Sequence, residues 1–309
     1  MNIQQLEYVL AVDKYRHFAR AAEASFVTQP TLSMMIQKLE DELDAKIFDR
    51  SKQPVIPTDI GEKMITQIRQ VLAEIDHLKN ISNEEKNIVA GELRIGIIPT
   101  IAPYLLPMFL GSFKDKYPDV KLKISENITP TIIQKLKNGE LDAGILVNPE
   151  DGDSFTDYAL FTEAFVVYSP KNFKKKYLLA EDIDISELLL LEEGHCFRSQ
   201  ILKFCELSKM QHNNVEYSSG SLETLKNLTD RHLGITILPE MATLNFSEQD
   251  KAKIKYFASP QPIRKVSLLT HRDYIKKRLV SILIEEIKNN LPAEANNPSE
   301  NVVGFKLRE

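Results

Sequence analysis

From Gly91 to Val147 the chain alternates three strand patterns with two helical patterns, and this alternation limits the possible folds more than any other feature. The strands read ELRIGII, DVKLKISE and LDAGILV, and the helices between them read IAPYLLPMFLGSFKDKY and TPTIIQKLKNG. Strands that are joined through helices pair in parallel, and the helices pack on the faces of the sheet. This segment therefore predicts an α/β unit built on a parallel sheet.

A second α/β unit is predicted to follow the first. A strand at 161–169 precedes the runs ELLLLEE, NVEYSS, SLETLKNLTDRH and LGITILP, which alternate between strand and helix patterns. A strand at 264–270 and a helix at about 273–290 would then return to the first unit. We predict a two-lobed α/β domain with a cleft: lobe I at about 89–160 and 268–292, lobe II at about 161–267, and a polar tail at 293–309.

The first 58 residues predict a mainly α-helical winged helix-turn-helix. Two short helices precede the break VTQP and a third helix, TLSMMIQKLEDEL, and the run AKIFDRSKQPVIPT resembles a β-ribbon, or wing. The third helix has one apolar face and one face of polar and amphipathic side chains that suit base edges and phosphates. A three-helix packing unit without DNA is the alternative. The candidate DNA-binding residues are Thr28, Gln29, Pro30, Thr31, Ser33, Met34, Gln37, Lys38 and Arg50.

The charge of this segment argues against strong DNA binding by a monomer. Residues 1–60 contain seven Lys and Arg against nine Asp and Glu, a balance of 7 − 9 = −2, and the whole chain carries −5. Useful affinity would need a dimer on two half-sites. Residues 59–88 predict a linker helix with apolar residues at heptad spacing, typical of a two-helix coiled coil. The alternative is an amphipathic helix on its own core. The heptad positions are Met64, Ile68, Val71, Ile75 and Leu78.

Composition and termini indicate a cytoplasmic protein without cofactor or metal. Hydrophobic residues make up 43% of the chain, yet no apolar run is long enough to span a bilayer, so we expect no membrane partner. The N-terminus lacks the pattern of a signal peptide. Only two cysteines are present, Cys196 and Cys205, and structural disulfides are rare in the cytoplasm. The histidines are scattered, which predicts no metal site.

The N-terminal motif resembles the DNA-binding signature of the LysR-type transcriptional regulators. The resemblance rests on ARAAEASFVTQPTLSMMIQKLEDELDAKIFDR and the later PTDIG, and covers nearly the whole chain in domain order and length. LDAKIF departs from it, since many members have glycine after the leucine, and this should alter the turn only slightly. The family implies promoter DNA as partner, a homodimer or homotetramer, recruitment of RNA polymerase, and a periplasmic-binding-protein-like regulatory domain rather than an enzyme.

The segment GHCFRSQILKFC is similar to the redox segment of the peroxide-sensing members of that family. The resemblance implies a peroxidatic Cys196 and a resolving Cys205, with hydrogen peroxide as the signal and a thioredoxin- or glutaredoxin-type reductant to reset the disulfide. Thr100 and Thr129 match hydroxyls that hold peroxide. His195 and Arg198 are candidates to favour the thiolate, the form that reacts. A basic residue on the returning strand is also implied, and here either His271 or Arg272 fills that place.

Purely structural roles for these residues, and other classes of protein, remain alternatives. The cysteines lie in an apolar stretch and are by default buried hydrophobic residues. Thr100 and Thr129 are by default helix N-caps. A regulator of the same family that binds a small metabolite in the cleft is the nearest alternative. A thiol oxidoreductase would be expected to carry a C-x-x-C pair, which is absent here. A two-lobed solute-binding protein would not need the 90-residue N-terminal extension.

Overall fold

The computed structural model describes residues 1–85, 89–147, 154–171, 173, 175, 177–191, 196–204, 220–272, 274, 277–292 and 302–304. The chain forms two compact units. One comprises Met1–Ile88 with Lys137–Glu140, and the other comprises Val89–Leu136 with Leu141–Glu309. None of the described helices is long and apolar enough to cross a membrane.

The N-terminal unit contains the predicted helices and wing. Its elements are α1 (Ile3–Tyr15), α2 (Phe18–Ala24), α3 (Gln29–Glu42), β1 (Phe48–Asp49), β2 (Ile56–Pro57) and α4 (Asp59–Glu85). β1 and β2 pair antiparallel, as a wing requires. The Thr28 hydroxyl accepts the Thr31 N–H at the start of α3, and Pro30 occupies the first turn, where a missing N–H does no harm. Thr58 begins α4 in the same way, accepting the Gly61 N–H at 2.9 Å.

The long helix α4 divides into a buried start and an exposed continuation. Ile65 and Ile68 lie in the apolar core formed with α1, α2 and α3. Ile68, which the heptad assigns to a seam between two chains, is thus buried within its own unit. Val71 and Leu78 are 38% and 71% exposed. The interpretation as an amphipathic helix on its own core therefore holds for the first turns, and the later turns leave apolar side chains in solvent.

The second unit is built on one large sheet. Its elements are β3 (Gly91–Ile97), α5 (Ala102–Lys116), β4 (Val120–Glu126), α6 (Thr129–Lys137), β5 (Ala143–Val147), β6 (Phe155–Tyr168), β7 (Tyr177–Leu178), β8 (Leu188–Leu189), α7 (Cys196–Phe204), α8 (Leu222–Asp230), β9 (Ile235–Pro239), α9 (Glu248–Lys251), β10 (Ile254–Phe257), β11 (Gln261–His271), α10 (Lys277–Asn289) and β12 (Val302–Gly304). The main strand order is β4-β3-β5-β11-β6-β10-β7, with β9 beside β6 and β8 beside β9. The predicted parallel pairing of β3 with β4 and β5 is confirmed.

Two long strands connect the two lobes. β6 and β11 pair antiparallel along most of their length, and the register shifts between Val266 and Ser267. Two separate apolar cores form along them: Leu160 and Phe161 of β6 belong to the first core, whereas Phe165 and Tyr168 belong to the second. This is the predicted two-lobed α/β architecture.

Several predicted elements differ in extent. β6 begins at Phe155, six residues before the predicted strand. Its first half is more polar than the second, but it also pairs with β11. In the described part of the run ELLLLEE, residues 187–191, the strand is the two-residue β8. The predicted strand NVEYSS lies outside the described residues. Within the predicted tail, β12 pairs parallel with Gln261–Ile263.

Candidate functional site

A buried arginine joins elements of both lobes. Arg264 of β11 is only 2% exposed. Its Nε donates to Glu163 Oε1 at 2.8 Å, its Nη1 to Thr100 Oγ1 at 3.0 Å and its Nη2 to the Thr100 carbonyl at 3.1 Å. The other carboxylate oxygen of Glu163 accepts the Met241 N–H at 3.0 Å. A buried charge needs this kind of full pairing, and it makes the arrangement rigid.

Thr100 is therefore a partner of this arginine rather than a helix cap. The residue that flanks α5 is Ile101, and no side chain caps that helix. The default interpretation of Thr100 as an N-cap was wrong, because the Thr100 hydroxyl accepts from a guanidinium on a strand far away in the chain.

The first turn of α7 packs on the same arginine. Phe197, 1% exposed, has its ring centre 5.2 Å from the Arg264 guanidinium carbon and 5.4 Å from the Phe165 ring, edge to face. α7 begins at Cys196. Thr100, Arg264 and the residue after Cys196 thus lie together, although they come from three distant parts of the sequence.

Arg264 was missed by sequence reasoning, which expected His271 or Arg272 on the returning strand. His271 has its ring 6.3 Å from Phe155, edge to face, and the Arg272 N–H donates to the Ser154 carbonyl. The usable signal was strand alternation: Arg264 and Val266 are buried, and Lys265 between them is exposed. A charged residue on the buried side of a strand indicates a paired or functional group.

Thr129 presents a different kind of hydroxyl. It is the first residue of α6 and 9% exposed, and its Oγ1 has no hydrogen-bond partner. The default interpretation as an N-cap is wrong here too. β3 and β4 are neighbouring parallel strands, and Thr100 and Thr129 follow their carboxyl ends, so both lie at one edge of the sheet. A buried hydroxyl without a partner is unfavourable, and a small hydrogen-bonding ligand would satisfy it.

The remaining predicted sensor residues are only partly described. Arg198 Nη1 donates to the Leu191 carbonyl at 3.0 Å. Cys196 is described as the first residue of α7, whereas His195 and Cys205 lie outside the described residues.

A second contact between the lobes, besides that of Arg264, is made by a tyrosine. The Tyr104 hydroxyl on α5 donates to Glu223 Oε1 on α8 at 3.2 Å. Burial, and then the nearby Glu223 carboxylate, raises the pKa of Tyr104 above its ordinary value. The hydroxyl therefore stays protonated and remains a donor to Glu223.

The candidate DNA-binding residues lie mainly on the outer face of α3. Of the nine, Ser33 and Gln37 are half-buried and the other seven are exposed. Apart from Arg50 of the wing, the exposed ones are Thr28, Gln29, Pro30, Thr31, Met34 and Lys38. Gln37 Nε2 donates to Asp41 Oδ1 at 2.7 Å.

Arg50 of the wing is engaged within the unit. Its Nη1 donates to Ser33 Oγ at 3.0 Å, its Nη2 donates to Glu40 Oε2 at 3.1 Å, and its guanidinium lies 4.9 Å from the Phe18 ring centre. Two residues predicted to contact DNA, Ser33 and Arg50, thus contact each other. In the described part of the chain, no group of three or more His, Cys, Asp or Glu side chains is arranged to hold a metal ion.

Comparison with known proteins gives matches over both units. Residues 3–62 match the family described as bacterial regulatory helix-turn-helix protein, lysR family, and residues 86–292 match the LysR substrate binding domain. The chain is 35% identical to a hydrogen peroxide-inducible genes activator of Haemophilus influenzae, covering 87% of this chain and 90% of that protein. It is 31% identical to the HTH-type transcriptional regulator EstR of Acinetobacter baylyi, covering 93% and 96%.

A solved structure resembles the whole chain. A cysteine-to-aspartate variant of full-length OxyR from Pseudomonas aeruginosa superimposes with a TM-score of 0.78 at 34% sequence identity, covering 93% of this chain and 98% of that one. The order of units, and not only the fold of one of them, is therefore shared.

Proposed function

Because the chain belongs to the LysR family of transcriptional regulators, we propose that it activates genes in response to hydrogen peroxide, which it senses through Cys196 and Cys205. The peroxide-inducible activators among its relatives support this assignment. The observation that carries it is structural: α7 begins at Cys196, and its first turn packs on the arginine that binds Thr100.

The proposed chemistry uses two thiols and one peroxide. The Cys196 thiolate attacks one peroxide oxygen, the O–O bond breaks, and hydroxide leaves while Cys196 becomes a sulfenic acid. The Cys205 thiol then attacks that sulfur, a disulfide forms and water leaves. Overall, two thiols and one peroxide give one disulfide and two waters. A thioredoxin- or glutaredoxin-type dithiol would reverse the oxidation.

Local groups would assist the first step. An ordinary cysteine has a pKa of about 8.5, so a reactive one needs help to ionise. The N-terminus of α7 favours an anion at Cys196, and His195 and Arg198 are the proposed side-chain contributors. Thr129, whose hydroxyl has no partner in the fold, is proposed to hold peroxide, together with Thr100 held in place by Arg264.

The geometry of α7 converts this chemistry into a conformational change. Eight helical steps put the α-carbons of Cys196 and Phe204 about 12 Å apart. The α-carbon of residue 205 is bonded one peptide unit further, about 3.8 Å from that of Phe204 in whatever direction the chain takes. At least about 8 Å therefore separates the α-carbons of the two cysteines while α7 is intact, and a disulfide needs less than about 7 Å. Closing the bond requires α7 to unwind, which would release Phe197 from Arg264 and Phe165.

The output of this change would be DNA binding. We propose that a homodimer or homotetramer binds promoter DNA in the cytoplasm through α3 and the wing, and that the change at α7 alters subunit packing and the recruitment of RNA polymerase. The candidate contacts remain those on α3 and its start, together with Arg50.

Mass spectrometry of the alkylated protein tests the proposal. One equivalent of hydrogen peroxide added to the reduced protein is expected to crosslink Cys196 to Cys205 and to change the footprint on the DNA upstream of its own gene. In Cys205→Ser a sulfenic acid should instead accumulate at Cys196 and react with dimedone. Free thiols and an unchanged footprint would contradict the proposal.

The second candidate is a regulator that binds a small metabolite between the lobes. Its support is the match of residues 86–292 to the family described as LysR substrate binding domain. Cys196→Ser and Cys205→Ser separate the two: a metabolite-responsive protein would keep its response in both variants, and a peroxide sensor would lose it.

A further inference from the structure

Phe26 is the most exposed large hydrophobic residue in the described part of the chain, at 96%. Its backbone is also left-handed, with φ at 55°. A bulky side chain rarely adopts this conformation, whereas Asn and Gly adopt it readily. Exposure and strain together are unfavourable to the isolated fold. We infer that Phe26 is a DNA-contacting residue, inserted as an apolar group beside the recognition helix.

The turn holds Phe26 in a fixed place. The Phe26 N–H donates to the Glu23 carbonyl at 3.1 Å, and the next N–H, of Val27, donates to the Ala22 carbonyl at 3.0 Å. Val27 packs against the core of the unit. The side chain therefore projects from a rigid turn, so binding to it does not first have to order the segment.

The position points to DNA as the partner. Phe26 comes two residues before Thr28, the N-cap of α3, so their α-carbons are at most about 7 Å apart. Gln29, Pro30 and Thr31 continue the exposed surface from there. In a helix-turn-helix the N-terminal residues of the recognition helix meet base edges in the major groove. A phenyl ring at that place suits the methyl group of thymine or the apolar face of a deoxyribose.

The charge of the unit makes such a contact useful. Residues 1–60 carry two more acidic than basic side chains, so phosphate neutralisation provides less attraction than in a basic DNA-binding domain. An apolar contact adds affinity without a positive charge. It also predicts a distinct signature, because its loss should weaken binding without changing the salt dependence of binding.

Phe26→Asn in the full-length reduced protein tests the inference. Asparagine tolerates the left-handed backbone, so the thermal midpoint should stay the same or rise. Affinity for the DNA upstream of its own gene should fall about tenfold, with an unchanged slope of log affinity against log salt. Phe26→Leu, which keeps an apolar side chain, should retain most of the affinity. Leu233→Asn, at a residue 64% exposed in the second unit, is the matched control and should bind as wild type.

Replacing thymine by uracil in the same duplex identifies the contacted group. If Phe26 contacts a thymine methyl group, uracil at that position should weaken DNA binding by the wild type but not by Phe26→Asn. If Phe26 contacts a sugar, uracil should weaken binding at no position, and Phe26→Asn should still bind about tenfold more weakly than the wild type. Equal DNA binding by Phe26→Asn and wild type would overturn the inference. So would a Phe26→Asn protein that loses its oligomeric state, since the partner would then be a second copy.

This inference rests on the DNA-binding part of the proposed function, not on peroxide sensing. If wild type itself fails to bind the upstream DNA, the proposed function fails. If wild type binds and Phe26→Asn binds equally well, only the inference about Phe26 fails.

Discussion

At the scale of single residues, two buried threonine hydroxyls that share an edge of the sheet have opposite surroundings. Thr100 Oγ1 accepts from Arg264, so its hydrogen-bonding capacity is used in stabilising the fold. Thr129 Oγ1 is left without a partner. Removing the Thr100 hydroxyl should therefore destabilise the fold, whereas removing the Thr129 hydroxyl should not. Only a change at Thr129 can test the function of the hydroxyl without a loss of stability.

Thr129→Val should leave the free energy of unfolding unchanged or raise it by up to about 1–2 kcal/mol, because an unsatisfied buried hydroxyl is removed. We expect oxidation of Cys196 by peroxide to slow about tenfold or more, since a group positioned for the reacting oxygens is lost. Denaturant unfolding and stopped-flow thiol oxidation measure the two effects.

Thr229→Val provides the matched control. Thr229 is fully buried on α8, and its Oγ1 also has no partner. It should show the same stability effect with a wild-type oxidation rate. If Thr129→Val also reacts at the wild-type rate, Thr129 does not hold peroxide.

At the scale of elements, the wing is attached to the recognition helix through one buried carboxylate. Glu40 of α3 is 1% exposed, and its Oε1 accepts the N–H groups of Ile47 and Phe48 at 2.8 and 3.3 Å. Its Oε2 accepts from Arg50, which also donates to Ser33. Arg50 therefore positions the wing against α3, a role that the sequence did not indicate when it made Arg50 a candidate for DNA contact.

Glu40→Gln should lower the free energy of unfolding by about 2 kcal/mol or more, because Arg50 loses its charged acceptor at the buried Glu40 carboxylate. DNA affinity should fall, although the change removes a negative charge. Isothermal titration calorimetry at several salt concentrations measures this DNA affinity. Asp44→Asn makes the same charge change at an exposed residue whose left-handed backbone asparagine tolerates, and should bind as well as wild type or better. Tighter binding by Glu40→Gln would instead show that Glu40 holds Arg50 away from phosphates.

The same scale shows what the sequence could and could not predict. The local sequence pattern predicted α3 and the strands β3, β4 and β5, and their order predicted the two lobes. α3 and β4 alternate buried and more exposed sides, whereas β5 is apolar and buried along its whole length. The pattern failed where a residue's partner lies far along the chain. Arg264, Glu163 and Thr100 meet only through the pairing of β11 with β6 and the position of β3. Alternation along β11 could mark Arg264 as buried, but no local spacing marks Glu163 and Thr100 as its partners. Likewise, the contact of Arg50 with Ser33 depends on how the wing folds back.

At the scale of the whole molecule, the net negative charge of residues 1–60 predicts that DNA binding requires a second copy, and α4 carries the candidate surface for it. Ile65 and Ile68 fix the start of α4 in the core of the unit, so its direction is set by the fold. Beyond them, Val71 and Leu78 recur at heptad spacing and are exposed. An exposed apolar seam on a helix with a fixed direction would also fix the separation of two recognition helices on DNA.

Leu78→Glu should weaken the proposed dimer of linker helices, because it places a charge within the exposed apolar seam of α4. Binding of two half-sites by one dimer raises affinity by about 10²–10⁴ over single-site binding, so the loss on promoter DNA should reach at least about tenfold. Light scattering coupled to size-exclusion chromatography, with DNA titration, measures both effects. Ala73→Glu makes a similar addition of charge at an exposed position on the opposite side of α4 and should leave both unchanged. If Leu78→Glu keeps the wild-type mass and affinity, the seam is not an interface, and a dimer would have to form through the second unit, whose contacts would then set the half-site spacing.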